Sequence, residues 1–182
     1  SHFNVIRKPS ENYMKTALLM MFWAILVPTF LCGQPAVEWM HTYDTGRDDG
    51  FLDVYSCEDN GLVMSGGSSN NWVTYRSDGN NTNLLVVRVD ESGEELWSQE
   101  YAADGAHCLG WSIIETDQGG FLVGTQRNFQ FSAIMLDADG NQIWWRDYGD
   151  GICRAVIELK NGTFLLAGMG RINGDLQGLV VC

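Results

Sequence analysis

Three oxygen-bearing side chains stand at alternate positions in the stretch DADGNQIWW. Asp137, Asp139 and Asn141 have the spacing with which a twelve-residue calcium loop begins. Such a loop also needs glycine at its sixth position and a bidentate glutamate at its twelfth, whereas here glycine is fourth and Tyr148 is twelfth. We therefore predict a hairpin turn, in which Asp139 and Gly140 supply the positive φ angles, and no metal site.

Nucleophilic and acid–base catalysis find few candidates in the sequence. The histidines are His2, His41 and His107, and none lies in a motif typical of a serine hydrolase. Carboxylates are abundant in the predicted loops, so a hydrolase or lyase that acts on polysaccharide remains the alternative. No Cys-x-x-Cys or paired-histidine spacing for zinc occurs. We expect no catalytic residues, no cofactor and no metal.

Aromatic, basic and acidic side chains are spread over predicted loops of unequal length. An aromatic ring beside Asn, Asp and Arg suits stacking on a sugar and hydrogen bonding to it, or contact with a peptide. The other interpretation is that these polar loops are simply solvated. The candidate ligand-binding residues are Trp72, Tyr75, Arg76, Asp78, Asn80, Asp104, His107, Arg127, Asp150 and Arg171.

The segments between these loops predict repeated antiparallel hairpins. Three of them align without a gap, at Asp53–Gly67, Ser112–Gln126 and Ala155–Met169. Each has an apolar strand, a polar turn with glycine, and a second apolar strand. Val86–Tyr101 and Ala133–Tyr148 also align, and in both an aspartate precedes a tryptophan that is followed by a tyrosine.

The spacing of the tryptophans predicts the fold class. The interval from Trp97 to Trp144 fits a four-stranded propeller blade of about 40 to 50 residues. No segment after Gly33 has a sustained helical period. We predict an all-β chain with about three β-propeller blades of four antiparallel strands, at about 37–94, 95–142 and, incompletely, 143–182. Because closed propellers have about 4 to 8 blades, we expect a C-terminal truncation and further blades in the missing sequence.

The residues that recur are predicted to be structural. A tryptophan and a tyrosine in every unit can fill the gap between twisted sheets, and an aspartate can begin the turn between units. The uniform turns should emerge at one end of the strands and the variable loops at the other, where ligands are expected to bind. The structural set is Trp39, Tyr43, Asp90, Trp97, Tyr101, Asp137, Trp144 and Tyr148.

These units resemble those of secreted β-propeller-type repeat proteins of bacteria and archaea. The residues that match are DQGGFLVGT at Asp117–Thr125 and VVRVDESGEELW at Val86–Trp97, and the resemblance covers residues 37–182. It implies surface, adhesion or substrate-contact modules attached to varied partners. Met135–Trp145 is distantly similar to quinoprotein-like propeller units, but its Asp-to-Trp spacing is one residue shorter. That departure disfavours a quinone-dependent dehydrogenase.

The N-terminal region predicts export. Residues 14–33 carry one lysine, an apolar run and then a small residue, which is the order of a secretory signal peptide. A membrane-spanning helix is the alternative, but the run is shorter than the roughly 20 residues required and contains Pro28. A lipoprotein site at Cys32 is disfavoured, because Leu31 precedes it. Residues 1–13 are expected to be upstream and non-native, and residues 34–182 to form the exported partial propeller without a membrane span.

Composition restricts the partners. The net charge is −12, which disfavours nucleic acid. Export permits disulfides, and Cys108 and Cys153 fall in equivalent variable loops, so a bridge between them is left open. We therefore predict a secreted or cell-surface, non-enzymatic module that binds a glycan or an extracellular protein. Besides the polysaccharide-acting enzyme, a passive structural repeat of a larger surface protein is the remaining alternative.

Overall fold

The computed structural model describes residues 37–70, 82–101 and 107–182. The chain divides into compact units at residues 1–38 and 39–182, and all the described strands belong to the second. Its strands are β1 Asp48–Ser56, β2 Leu62–Ser69, β3 Thr82–Val89, β4 Glu95–Tyr101, β5 Cys108–Glu115, β6 Phe121–Arg127, β7 Gln130–Leu136, β8 Gln142–Glu158, β9 Phe164–Ile172 and β10 Asp175–Val181.

Several sequence-based predictions concern residues outside these ranges. The predicted signal segment at 14–33 and the preceding residues 1–13 are among them. So are the candidate ligand-binding residues Trp72, Tyr75, Arg76, Asp78, Asn80 and Asp104. Within the described ranges, no helix has the length and apolar character required to span a membrane.

The strands form two antiparallel sheets. The first has the order β1-β2-β3-β4, and the second has six strands in the order β10-β9-β8-β7-β6-β5. The all-β class is therefore confirmed, but the prediction of three four-stranded propeller blades is wrong. β4, which carries Trp97 and was predicted to open the second blade, pairs with β3 at the edge of the first sheet. The rest of the predicted second blade shares one continuous sheet with the predicted third blade.

The six-stranded sheet is continuous because β8 runs through a segment that was predicted to be a loop. The first part of β8 pairs with β7 and its second part pairs with β9. Gly149 and Gly151 lie between the two parts, with φ angles of 119° and 155°. Only glycine adopts such angles readily, and a Cβ on Gly151 would lie 2.1 Å from the Met169 carbonyl oxygen. The two glycines let the strand change neighbours without ending.

The apolar core covers both faces of the central strands. The largest cluster joins the two sheets and includes Val63, Leu84 and Val86 from the first sheet with Ile113, Val123 and Ile134 from the second. In another cluster, Leu122 and Phe131 meet Val156 and Leu166, so the six-stranded sheet curls and buries part of itself. A strand buried on both faces needs a continuous apolar run, which explains the sequence LLVV at Leu84–Val87. Burial of each such side chain contributes roughly 1.5 to 3 kcal/mol.

One end of the strands, the uniform-turn end, carries five turns with the same hydrogen bonds. In each turn the first residue donates its N–H to the fifth carbonyl, and the fourth donates its N–H to the first carbonyl. The fourth residue always has a positive φ, between 68° at Asn60 and 85° at Gly93. This is a type I turn followed by a left-handed residue. The turns lie at 57–61, 90–94, 116–120, 137–141 and 159–163.

The opposite end, the loop end, has connections of different kinds. It includes the ends of β2 and β4, the middle of β8, and two tight hairpins. Those hairpins join β6 to β7 at Arg127–Gln130 and β9 to β10 at Ile172–Asp175. Residues 71–81 and 102–106, which belong to the predicted variable loops, lie outside the described ranges.

Candidate functional site

The loop end of the six-stranded sheet brings together three of the predicted ligand-binding residues. His107 directly precedes β5, Arg127 ends β6, and Asp150 lies in the middle of β8. Cys108 pairs with Arg127 and Gln130 pairs with Asp150, so these positions fall on neighbouring strand ends. The candidate site is defined as His107, Arg127, Phe129, Gln130, Trp145, Asp147 and Asp150.

Arg171 lies at the same end but farther along the sheet. It pairs with Leu176 across the β9–β10 hairpin. Its Nη1 donates to the Gly174 carbonyl oxygen at 3.0 Å, within its own hairpin. The described contacts of Arg171 are therefore with its own turn, and it is not included in the candidate site.

Arg127 is held by a carboxylate and an aromatic ring. Its Nη2 donates to Oδ2 of Asp147, and its guanidinium carbon lies 4.9 Å from the centre of the Trp145 ring. Ser132 Oγ donates to the other oxygen of Asp147 at 2.6 Å. The Arg127 and Asp147 side chains are 29% and 32% exposed. Because a guanidinium has five N–H donors, Arg127 can donate to a ligand while it keeps Asp147.

Phe129 stands at the tip of the β6–β7 hairpin in an unfavourable backbone conformation. Asn128 and Phe129 have φ angles of 50° and 65°, which define a two-residue type I′ turn. Glycine favours the second position, and a bulky residue there costs about 1 to 2 kcal/mol. The β9–β10 hairpin has Gly174 at the equivalent place, with φ of 91°. The Phe129 side chain is 71% exposed, so burial in the core does not offset this cost.

His107 lies beside Phe129, and their ring centroids are 6.4 Å apart. Its backbone N–H donates to Asn128 Oδ1 at 3.0 Å, and its carbonyl accepts from the Asn128 N–H at 2.9 Å. These bonds tie the segment before β5 to the hairpin. Burial lowers the pKa of the His107 imidazole below its usual 6.5, so the ring is neutral at pH 7. A neutral imidazole offers one donor and one acceptor.

Asp150 is connected to the same hairpin. Gln130 Nε2 donates to Asp150 Oδ1 at 2.6 Å, and the Gly151 N–H donates to the Phe129 carbonyl at 2.7 Å. The site thus combines an exposed aromatic ring with a guanidinium, an imidazole, carboxylates and a primary amide. Such a surface can stack on a sugar ring and hydrogen-bond its hydroxyl groups.

The loop end of the first sheet has a polar cluster of its own. Arg47 Nη1 donates to Glu100 Oε2 at 2.9 Å, and Asn83 Nδ2 donates to the same oxygen at 2.5 Å. Ser68 Oγ donates to Oε1 of Glu100 at 3.3 Å. Glu100 corresponds in the sequence alignment to Asp147. Both sheets therefore pair an acidic side chain at this position of the alignment with an arginine.

Sequence reasoning missed Phe129, Gln130, Trp145 and Asp147. Phe129 has a usable signal, since Asn-Phe separates two runs of strand pattern where Asn-Gly would be usual. Trp145 and Asp147 lie within β8, whereas the search for ligand-binding residues considered only predicted loops. Their proximity to Arg127 depends on the pairing of β6, β7 and β8.

The bridge left open between Cys108 and Cys153 does not form in the structure. Cys108 belongs to the cluster between the sheets, and Cys153 belongs to the cluster within the six-stranded sheet. Burial raises the pKa of the Cys153 thiol to about 12, so it carries almost no thiolate at neutral pH. Both side chains serve the core as small apolar groups.

The Asp137 carboxylate accepts hydrogen bonds within its own turn. Oδ1 accepts the backbone N–H of Asp139 at 3.0 Å and that of Asn141 at 2.7 Å. Hydrogen bonds from the Asn141 side chain and backbone lower the pKa of Asp137. The hairpin predicted here is confirmed, but only Gly140 of the two has a positive φ, so the predicted left-handed conformation of Asp139 is wrong. Over the described residues, no group of three or more His, Cys, Asp or Glu is placed to hold a metal ion.

No protein-family model and no curated protein matches the sequence. Solved structures that resemble the chain include the crystal structure of a protein of unknown function from Bacteroides caccae. That protein is 14% identical, with a TM-score of 0.47, and the match covers 72% of this chain. The chain spans 42% of the length of the Bacteroides caccae protein. Function therefore has to be inferred from the geometry of the site itself.

Proposed function

We propose that this protein is an exported, non-enzymatic module that binds a glycan through the loop end of its six-stranded sheet. The observation that carries the proposal is Phe129, whose ring is 71% exposed although its φ is 65°. A protein keeps such a strained, solvated aromatic side chain at a place where the ring has a use beyond folding. Export rests on the sequence of residues 14–33 and location outside the cell or on its surface follows from it.

The surroundings of Phe129 support a sugar as the ligand. Stacking of an aromatic ring on the apolar face of a pyranose leaves the hydroxyl groups free to meet polar side chains. His107 lies beside the ring, and Arg127 is oriented by Asp147 and Trp145. These groups offer both donors and acceptors, which sugar hydroxyls require.

The same contacts favour binding over catalysis. Asp147 is paired with Arg127, and Asp150 accepts the Gln130 amide. Each carboxylate therefore has a structural partner, whereas a glycosidase needs one protonated and one ionised carboxylate facing the bond to be cleaved.

A glycan array probed with the full chain tests the proposal. We expect binding to a defined set of glycans, with affinity reduced tenfold or more in Phe129→Gly and in Arg127→Gln. Phe129→Gly removes the ring and relieves the backbone, so its weaker binding cannot be explained by unfolding. Lys160→Gln is the matched control for Arg127→Gln, because it removes one positive charge from the uniform-turn end.

The other results separate the alternatives. Equal binding by wild type and Phe129→Gly would reject this site. Shortened products after incubation with the bound polysaccharide would identify a hydrolase or lyase. Binding to an extracellular protein without any glycan would favour a protein ligand, and no binding of either kind would favour a passive structural role.

A further inference from the structure

A tryptophan and a tyrosine cover an Asp-x-x-Gly turn at two places at the uniform-turn end. Tyr43 Oη donates to the Gly93 carbonyl at 2.8 Å, and a Cβ on Gly93 would lie 3.0 Å from the Trp39 ring. Gly93 belongs to the turn that begins at Asp90. The aromatic pair thus lies against the glycine and accepts no larger residue there.

The second place repeats this contact. Tyr101 Oη donates to the Gly140 carbonyl at 2.5 Å, and a Cβ on Gly140 would lie 2.9 Å from the Trp97 ring. Trp97 Nε1 also donates to the Ala138 carbonyl at 3.1 Å. In both places the tyrosine is the fourth residue after the tryptophan. Burial raises the pKa of Tyr43 and of Tyr101, which keeps both phenols protonated as donors.

Trp144 and Tyr148 form a third pair with the same spacing, but no described turn covers it. Trp144 lines a cavity of about 330 Å³ together with Met135, Ile143 and Phe164. Residues of the turn at 116–120 also line this cavity. Trp144 Nε1 and Tyr148 Oη make no hydrogen bond to another residue in the described parts of the chain. Ile143, at the mouth of the cavity, is 61% exposed.

The surroundings of Trp97 show what fills the corresponding space. Trp97 contacts Phe121 edge to face, with ring centroids 5.7 Å apart, and the turn at 137–141 lies over it. Phe121 and Phe164 occupy equivalent positions in the aligned segments, each at the start of a strand. Trp144 and Phe164 are therefore equivalent to Trp97 and Phe121, against which the turn at 137–141 packs.

We propose that the cavity lined by Trp144, with Tyr148 four residues farther along β8, is a docking site for a polypeptide turn of the Asp-x-x-Gly type, presented by a partner polypeptide. The glycine of that turn lies against the Trp144 indole. Tyr148 Oη donates to the glycine carbonyl, and Trp144 Nε1 donates to the carbonyl of the residue after the aspartate. Residues of the turn at 116–120, at the uniform-turn end, line this cavity, and no residue of the proposed glycan site does, so the two proposals rest on different side chains.

The turns within the described chain cannot be the occupant without giving up existing contacts. Those at Asp90 and Asp137 are already covered by Trp39 and Trp97. A second copy of the chain presents the same covered turns. The remaining turns have Cys57, Thr116 and Leu159 at the first position, and so lack the aspartate that closes the Asp-x-x-Gly turns. A separate turn of this type meets the requirements of the site.

The probe is a fluorescein-labelled hairpin peptide with the sequence AIMLDADGNQIW, closed by a disulfide between added terminal cysteines. Fluorescence anisotropy with the full chain should show saturable binding. Trp144→Ala should weaken it tenfold or more, and Tyr148→Phe should weaken it about threefold to tenfold through loss of one hydrogen bond. Tyr148→Phe keeps the ring, so it remains informative if Trp144→Ala is poorly folded.

Two controls make the result specific. A peptide with valine in place of its glycine should not bind, because the indole leaves no room for a Cβ. Phe129→Gly, at the loop end, should bind the probe as wild type does. Absence of saturable binding to wild type, equal binding of the valine peptide, or an unchanged affinity in both Trp144→Ala and Tyr148→Phe would overturn the proposal. So would self-association in sedimentation that the peptide does not compete away.

Discussion

The turns at the two ends of the strands differ in how closely their residues match the backbone conformation that each turn requires. At the uniform-turn end, five turns share one pattern of hydrogen bonds and a left-handed fourth residue. At the loop end, the two tight hairpins differ at one position, with Phe129 in one and Gly174 in the other. The uniform-turn end thus repeats one turn type, whereas the loop end keeps a bulky residue at a left-handed position where glycine is usual. Contacts between the two sheets lie at the uniform-turn end, and we propose the loop end as the surface for recognition.

The largest effect is expected where a uniform turn meets a tryptophan. Gly140→Ala should lower the free energy of unfolding by about 2 to 4 kcal/mol, because it adds backbone strain and a clash with Trp97. The Cβ would lie 2.9 Å from the indole. Urea denaturation followed by circular dichroism measures this loss.

Gly119→Ala is the matched control for that substitution. Gly119 has a φ of 78° but no atom within 4 Å of its would-be Cβ. It should therefore cost only the backbone strain, about 1 to 2 kcal/mol. Equal losses in the two variants would mean that the contact between Trp97 and Gly140 adds nothing to stability.

The next effect concerns a buried arginine that fastens the turn at 57–61. Arg88 donates to both carboxylate oxygens of Asp59, at 2.6 and 2.7 Å, and to the Leu62 carbonyl at 3.1 Å. Arg88→Met should cost about 1 to 3 kcal/mol, since buried acceptors lose their donor. Asp59 is 63% exposed and can be rehydrated, which limits the loss.

Lys160→Met controls for loss of one positive charge at the same end. Its cost should stay within about 0.5 kcal/mol, as for most surface substitutions. Thermal unfolding of both variants at neutral pH makes the comparison. If Arg88→Met were as stable as Lys160→Met, the network around Asp59 would have no net role in stability.

A smaller effect with the opposite sign is expected at the loop end. Phe129→Gly should raise the free energy of unfolding by up to about 1 kcal/mol, because relief of the left-handed strain outweighs the entropy of glycine in the unfolded chain. Gly174→Ala, in the matching hairpin, should lower it by about 1 kcal/mol. A destabilised Phe129→Gly would show that the exposed ring contributes to folding, which would weaken the argument for a binding role.

The smallest expected effect is on the pH dependence of stability, which should differ between the two ends of the strands. Because the pKa of folded His107 lies below 6.5, the unfolded chain takes up a proton first as pH falls, and stability declines below that value. His107→Gln should remove this part of the decline between pH 7.5 and 5. The pKa values of Asp90 and Asp137 are lowered, so their contributions are lost only as pH falls below their usual 3.8. Identical pH profiles for wild type and His107→Gln would exclude the histidine contribution.

Much of the uniform-turn end could be predicted from the sequence. Gly140 and its counterparts mark left-handed positions, and the carboxylates of Asp90 and Asp137 accept hydrogen bonds from residues of the same five-residue turn. Local chemistry of this kind is visible in a short window of sequence.

The candidate site was only partly predictable. His107, Arg127 and Asp150 were identified from their loops, but Trp145 and Asp147 join them through strand pairing.

By itself, the sequence determined the all-β class and the positions of the turns at the uniform-turn end, because alternation and turn chemistry act locally. Only the tertiary structure decided how the strands divide into sheets. Gly149 and Gly151 allow β8 to continue where a loop was expected, and that choice depends on β7 and β9 pairing with the same strand. Strand pairing joins residues distant in sequence, so no local pattern encodes it.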